Sequence, residues 1–140
     1  MHSIRSVLRD KSGASAVEFA IIAPMFILIL LSLIAYGIYL TAAYAVQQVA
    51  ADAARTAVAG LNTKERETLA TDFVKKSTLN YAFLDKNAFT VAVASDPSNP
   101  NQFTVTIEYD ARGLPIWNLY TYALPEKSIK RFSTIRIGGV

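Results

Sequence analysis

No charged side chain occurs between Phe19 and Ala51. Few folds can accommodate such a run. A membrane-spanning α-helix needs about 20 mainly apolar residues, and Phe19 to Tyr39 supplies them. The flanks are unequal: Arg5, Arg9 and Lys11 against Asp10 precede the run, and no Lys or Arg follows it closely. That asymmetry places the N-terminus in the cytoplasm and the rest of the chain outside the inner membrane. Tyr36, Tyr39 and Tyr44 cluster at the far end, where aromatic rings favour the membrane–water boundary. Pro24 lies inside the run, and its ring and missing N–H predict a weakened or kinked helix there.

The entry to the run is unusual. A short basic segment ends at Gly13, small residues follow, and Glu18 is the single carboxylate at the start of the apolar stretch. A secretory signal is cut after its apolar segment. Here the natural break, Gly13-Ala14, comes before it, so a cut there leaves the helix on the mature protein. A charged side chain deep in a bilayer costs about 2.5–3.5 kcal/mol on insertion scales and is usually partnered. The amino group freed at Ala14 would stand four residues before Glu18, on the same helical face. It could neutralise its own Glu18 or that of a neighbouring subunit. A plain single-pass anchor, with Glu18 facing headgroups, is the alternative. A second cut also fits: Ala43-Tyr44-Ala45 reads as a signal-peptidase site that would release a soluble protein from Val46. Against it, the apolar segment is much longer than the roughly 7–15 residues of a usual signal.

The helical pattern continues beyond the membrane. Val46, Val49, Ala53, Ala57 and Gly60 make a small apolar stripe at helical spacing, read as intramolecular core before subunit contact. One helix from Ala14 to about Gly60 would be on the order of 70 Å long. Gly60 is a stop signal, and Asn62 with Glu65 forms a capping-box start. A short helix then runs to about Tyr81, with Leu69, Phe73 and Val74 inward and Glu65, Arg66, Lys75 and Lys76 on a solvated face. Residues 88–94 and 102–110 alternate at strand spacing and predict an antiparallel hairpin with a long connection through 95–101. Ile129 to Ile137 is a third strand. The fold class is therefore α+β: a long transmembrane helix continuing into a small head with a short helix and a roughly three-stranded antiparallel sheet. Its divisions are a leader at 1–13, the helix at 14–60 and an extracytoplasmic head at 61–140. Between strands two and three, Leu114, Ile116, Trp117 and Tyr120 sit in a Pro-bounded loop. They are read as core or headgroup contact first and as a partner surface second.

Composition narrows the function. Two of the three net positive charges fall in the first thirteen residues. The remainder is nearly balanced and gives no support to nucleic-acid binding. There is no cysteine, hence no disulfide, thiol nucleophile or Cys-ligated metal. His2, the single histidine, lies in the leader, which removes His-based triads and zinc sites from the mature chain. No Gly-rich phosphate loop or paired-carboxylate spacing is present. The reading is a non-enzyme with no catalytic residues, no metal and no cofactor.

The stretch Arg9 to Pro24, RDKSGASAVEFAIIAP, resembles the TadE-like family of pseudopilins, minor components of tight-adherence (Flp, type IVb-like) pilus systems. In that family a prepilin peptidase cuts after a glycine and a glutamate occupies the fifth mature position, the spacing of Gly13 and Glu18. Pro24 matches a proline common in the family. Residues 50–60 resemble its small-residue helix end, and beyond Gly60 only the layout is similar. The resemblance implies leader cleavage between Gly13 and Ala14 and use of Glu18 in setting subunit register. Its implied partners are a prepilin peptidase, the major Flp-type pilin, other minor pseudopilins and the inner-membrane assembly platform, besides membrane lipid. It also implies a single-pass protein of the bacterial inner membrane, incorporated in a pilus used for surface adhesion. The two other readings are a bitopic inner-membrane scaffold of an envelope complex and a secreted domain cut after Ala45. The three differ in their first residue: Ala14, Met1 or Val46.

Overall fold

The computed structural model describes residues 11–76, 84–119 and 124–138. The long helix α1, Lys11–Ala57, runs unbroken through Gly13 and Pro24. Alanine supplies much of its outer half, and no residue has a better helix propensity. The expected stripe is core: Val46, Val49, Ala53, Ala57 and Gly60 are all buried, together with Ala42, Ala45, Ala50 and Ala54. Small side chains on this face let the sheet approach closely, and the volume between them is filled from the sheet side.

After α1, Gly60 N–H donates to Ala57 O at 3.0 Å and turns the chain into α2, Thr63–Lys76. The expected capping box forms in a shifted version, with its return bond to the N–H of the residue before the cap. Glu65 N–H donates to Asn62 Oδ1 at 2.9 Å, and Glu65 Oε2 accepts from Leu61 N–H at 2.9 Å. Leu69 and Phe73 are half-buried and Val74 is buried, as the periodicity predicts. The expected continuation of α2 towards Tyr81 lies outside the described residues.

Arg66 does not lie on the solvated face that its charge suggests. It is buried at 9 % exposure, donates from Nε to Gly60 O at 3.1 Å, and sets its guanidinium 4.7 Å from the centre of the Phe103 ring. An arginine stem covers apolar surface well, and its planar head can stack on an aromatic face while donating to a carbonyl.

The sheet is an antiparallel meander of β1 (Phe89–Asp96), β2 (Asn99–Asp110) and β3 (Ser128–Arg136), with β2 in the middle. Phe103, Val105, Ile107 and Tyr109 of β2 all point into the core. The upper half of α1 lies under β2 and β3, and α2 lies under β1. Gln47 of α1 donates from Nε2 to Phe132 O at 3.2 Å, occupying a carbonyl of β3, an edge strand.

The β1–β2 connection is short, against the expectation of a long loop. Asp96 pairs with Asn99, and Ser98 N–H donates to Asp96 Oδ1 at 2.8 Å, closing a tight turn over Pro97 and Ser98. The register then shifts, since Ser95 pairs with Phe103. Pro100 is thus tolerated in a strand because it falls in the bulged stretch, where β1 asks no N–H of it.

The α1–α2 corner depends on a missing side chain. A Cβ at Gly60 would lie 2.7 Å from Arg66 Cγ and 2.8 Å from its backbone N, whereas one at Gly113 would meet nothing within 4 Å. Gly60→Ala should therefore destabilise the head by about 1–3 kcal/mol, while Gly113→Ala should stay within about 0.5 kcal/mol of the parent. Denaturant titration of the detergent-solubilised chain, followed by Trp117 emission, measures both. Equal stabilities for the two variants would remove the corner from the account.

Candidate assembly and membrane surfaces

The N-terminal residues singled out by the sequence lie together on the first turns of α1. Residues 13–20 are exposed, and the helix places Ala14 and Glu18 one turn apart. Gly13 has space around it for a Cβ, and it is not among the residues with positive φ. Neither packing nor backbone conformation therefore requires glycine at that position. Among the described residues none pairs with Glu18. Pro24 is also far from the head, inside a stretch in which no residue from Ala14 to Ile34 is buried. Phe19, Met25, Phe26 and Leu33 stand 71 %, 63 %, 62 % and 66 % exposed there. A soluble helix would not leave such a surface uncovered. This long apolar helix fits a single-pass membrane protein.

The second surface is the β2–β3 connection, which closes the end of the head nearest the bare helix. Asp110 caps a 3₁₀ turn, Ala111–Gly113, by accepting Arg112 N–H at 3.0 Å. Both its carboxylate oxygens also take Arg112 Nε–H, at 2.9 Å each. Ala111 is the hub of the loop. Its N–H donates to Lys127 O at 2.8 Å, and its carbonyl accepts from Leu114 N–H at 3.0 Å and from Trp117 Nε1–H at 2.6 Å. A second 3₁₀ turn, Pro115–Asn118, follows. Leu114 and Ile116 point inward and are buried, Trp117 is half-buried, and Tyr120 lies outside the described residues. Lys127 Nζ stands 5.9 Å from the Trp117 ring centre.

Sequence reasoning did not find Arg66 or Ala111. Arg66 could have been caught by its four-residue spacing to Ala70 and Val74, both buried. Ala111 carries no sequence signal, because its role is played by backbone atoms. Among the described residues no group of three or more acidic, His or Cys side chains is placed to hold a metal ion.

Two titrations report on this end of the head. The Arg112 side chain hydrogen-bonded to Asp110 holds that carboxyl at about 2, against an ordinary 3.8. A lowered folded-state value means stability present above the ordinary value and lost as pH falls through the lowered one. The stability difference between the parent and Asp110→Asn should therefore be full above about pH 4 and vanish as pH falls towards 2. Burial pushes the Tyr109 hydroxyl above 10.0. The unfolded chain ionises first, so the stability from neutral Tyr109 is lost as pH rises beyond 10.0. Thermal melts of the parent, Asp110→Asn and Tyr109→Phe across both limbs check these signs.

No curated protein and no solved structure matches the chain. A family model does: residues 13–55 match the one described as TadE-like protein. The match begins at Gly13, includes Glu18 and Pro24, and ends within the stripe that carries the head, so the likeness to the TadE-like family covers the N-terminal helix.

Proposed function

We propose that the protein is a minor pseudopilin that takes part in assembling a tight-adherence (Flp, type IVb-like) pilus. The observation that carries this reading is that Gly13 and Glu18 lie inside the family match, yet nothing among the described residues accounts for either. A glycine without a packing role and a carboxylate beside an apolar span both call for a reason outside the folded subunit. Cleavage after Gly13 supplies one for the glycine. The amino group it frees at Ala14 supplies one for Glu18, as partner within the subunit or across to the next. The partners on this reading are a prepilin peptidase, the major pilin, other minor pseudopilins and the assembly platform in the inner membrane. The chain works by assembly and carries no catalytic role.

The secreted reading conflicts with the packing. Ala42, Ala43, Ala45 and Val46 are buried side chains within one continuous helix. A cut after Ala45 would break the helix beneath the head and strip part of its core. The bitopic scaffold shares the anchor but leaves Gly13 and Glu18 without a purpose.

Two experiments test the proposal. Intact-mass analysis of membrane-extracted protein from the native host should show a chain beginning at Ala14. Gly13→Glu, which puts a bulky charge at the cut site, should retain the leader. Normal processing of that variant would refute the cleavage reading. Separately, Glu18→Gln keeps the shape and removes the charge, so the variant should be made, cleaved and inserted. Expressed at native level in a strain lacking the parent, it should nevertheless fail to support piliation or to crosslink with the major pilin. Parental piliation from Glu18→Gln would leave Glu18 as an ordinary interfacial residue.

A further inference from the structure

The junction between head and helix carries an inference of its own, resting on the reading of α1 as a spanning helix. We infer that the base of the head is a lipid-contact surface. Pro115 and Trp117 sit in the interface of the outer leaflet, and the groove between this loop and α1 takes acyl chains.

The length of α1 sets the head against the bilayer. The bare part of α1, from Ala14 to Ile34, is ~21 residues and so ~31 Å long, which is the thickness of a hydrocarbon core, about 30 Å. Ala35 is 0 % exposed, and Ile38 and Tyr39 pack against the core of the head. No length of helix is left over to hold the head away from the bilayer. If the span is instead Phe19 to Tyr39, the base of the head lies deeper by five residues of helix, roughly 7.5 Å. Interfacial segments typically bury about 5–10 Å into the headgroup and acyl boundary. Both placements therefore put the loop in that layer.

The chemistry of the junction suits acyl chains. Ile34, Gly37, Ile38, Thr41 and Pro115 line a groove of about 410 Å³ at the junction. Its one polar side chain, Thr41, donates to Gly37 O at 2.8 Å, so the lining offers an apolar surface with no unsatisfied hydroxyl donor. The space beside Gly37 is open, since a Cβ there would meet nothing within 4 Å. The groove is continuous with the bare helix face below it, so the phase that bathes Ile34 also reaches Pro115. Trp117 suits the same layer. Its indole N–H is already spent on Ala111 O, which leaves the ring free to lie among acyl chains at no hydrogen-bonding cost. Lys127 beside that ring supplies a cation at headgroup level. Tyr44, 64 % exposed on the helix above the groove, adds an aromatic ring on the headgroup side.

Trp117 is the only tryptophan in the chain, which makes the test direct. The full-length protein is reconstituted into phosphatidylcholine vesicles brominated near the headgroup end or near the tail end of the acyl chains. Trp117 emission should be lost mainly to the headgroup-end bromines and should resist aqueous iodide. A second protein, carrying Trp117→Phe and Leu28→Trp, reports on the span and should be quenched most by the tail-end bromines. If the Leu28→Trp probe escapes both lipids, α1 does not span and the inference falls with that reading. If that probe is quenched and Trp117 is not, the spanning helix stands and the lipid surface alone is overturned. In that case, quenching of Trp117 by iodide identifies water at the base of the head. Protection from iodide identifies cover by another copy of the chain.

Discussion

The close approach between the small face of α1 and the sheet carries the rest of the structure. Alanine methyls at 42, 45, 50, 53, 54 and 57 contribute little area each, and the bulk of the core comes from Phe103, Val105, Ile107 and Tyr109 opposite them. Full burial of side chains of that size stabilises by about 1.5–3 kcal/mol each. That gain is available only because nothing large on the helix holds the sheet away. The same closeness brings Gln47 within reach of the edge carbonyl of Phe132 and seats Arg66 over Phe103. A larger side chain on this face would cost more than its own strain, because it would separate the two layers along their length.

One helix serves two environments without a joint. From Ala14 to Ile34 no side chain is buried and nearly all are apolar, and from Ala35 upward one face is progressively covered by the head. The periodicity changes character at that point. All-round apolar residues give way to a one-sided stripe, as expected where lipid gives way to protein on one side and water on the other. Because α1 is continuous, a force on its lipid-facing end reaches the head with no intervening hinge. Such coupling suits a subunit that must leave the bilayer as a unit in the proposed pilus role.

The residues with a structural reason and those without one separate cleanly. Gly60 is needed because Arg66 occupies the space of its absent Cβ. Gly13 has no such neighbour. Arg66 has a carbonyl and a ring to satisfy it, and Asp110 has Arg112. Glu18 has neither among the described residues. A residue that folding does not require, at a position costly to keep, points to an interaction outside the subunit.

The sequence by itself determined the long helix, its apolar stretch long enough to cross a membrane, the capping-box start of α2, the inward face of β2 and the α+β class. Those features follow from local periodicity and charge, which a single chain displays without help. The match over residues 13–55 is local in the same way, so the Gly13–Glu18 spacing was legible before any fold was known. Only the tertiary structure decided the rest. It turned Arg66 from a surface charge into a core residue, because a stacking ring and a carbonyl arrive from elsewhere in the chain. It tightened the 95–101 segment into a two-residue turn, because Asp96 pairs with Asn99 and takes Ser98 N–H. It buried Leu114 and Ile116 while leaving Pro115 and Trp117 at the foot of the head. These outcomes depend on groups far apart in sequence or on backbone atoms common to every residue, and neither leaves a pattern that a linear reading can detect.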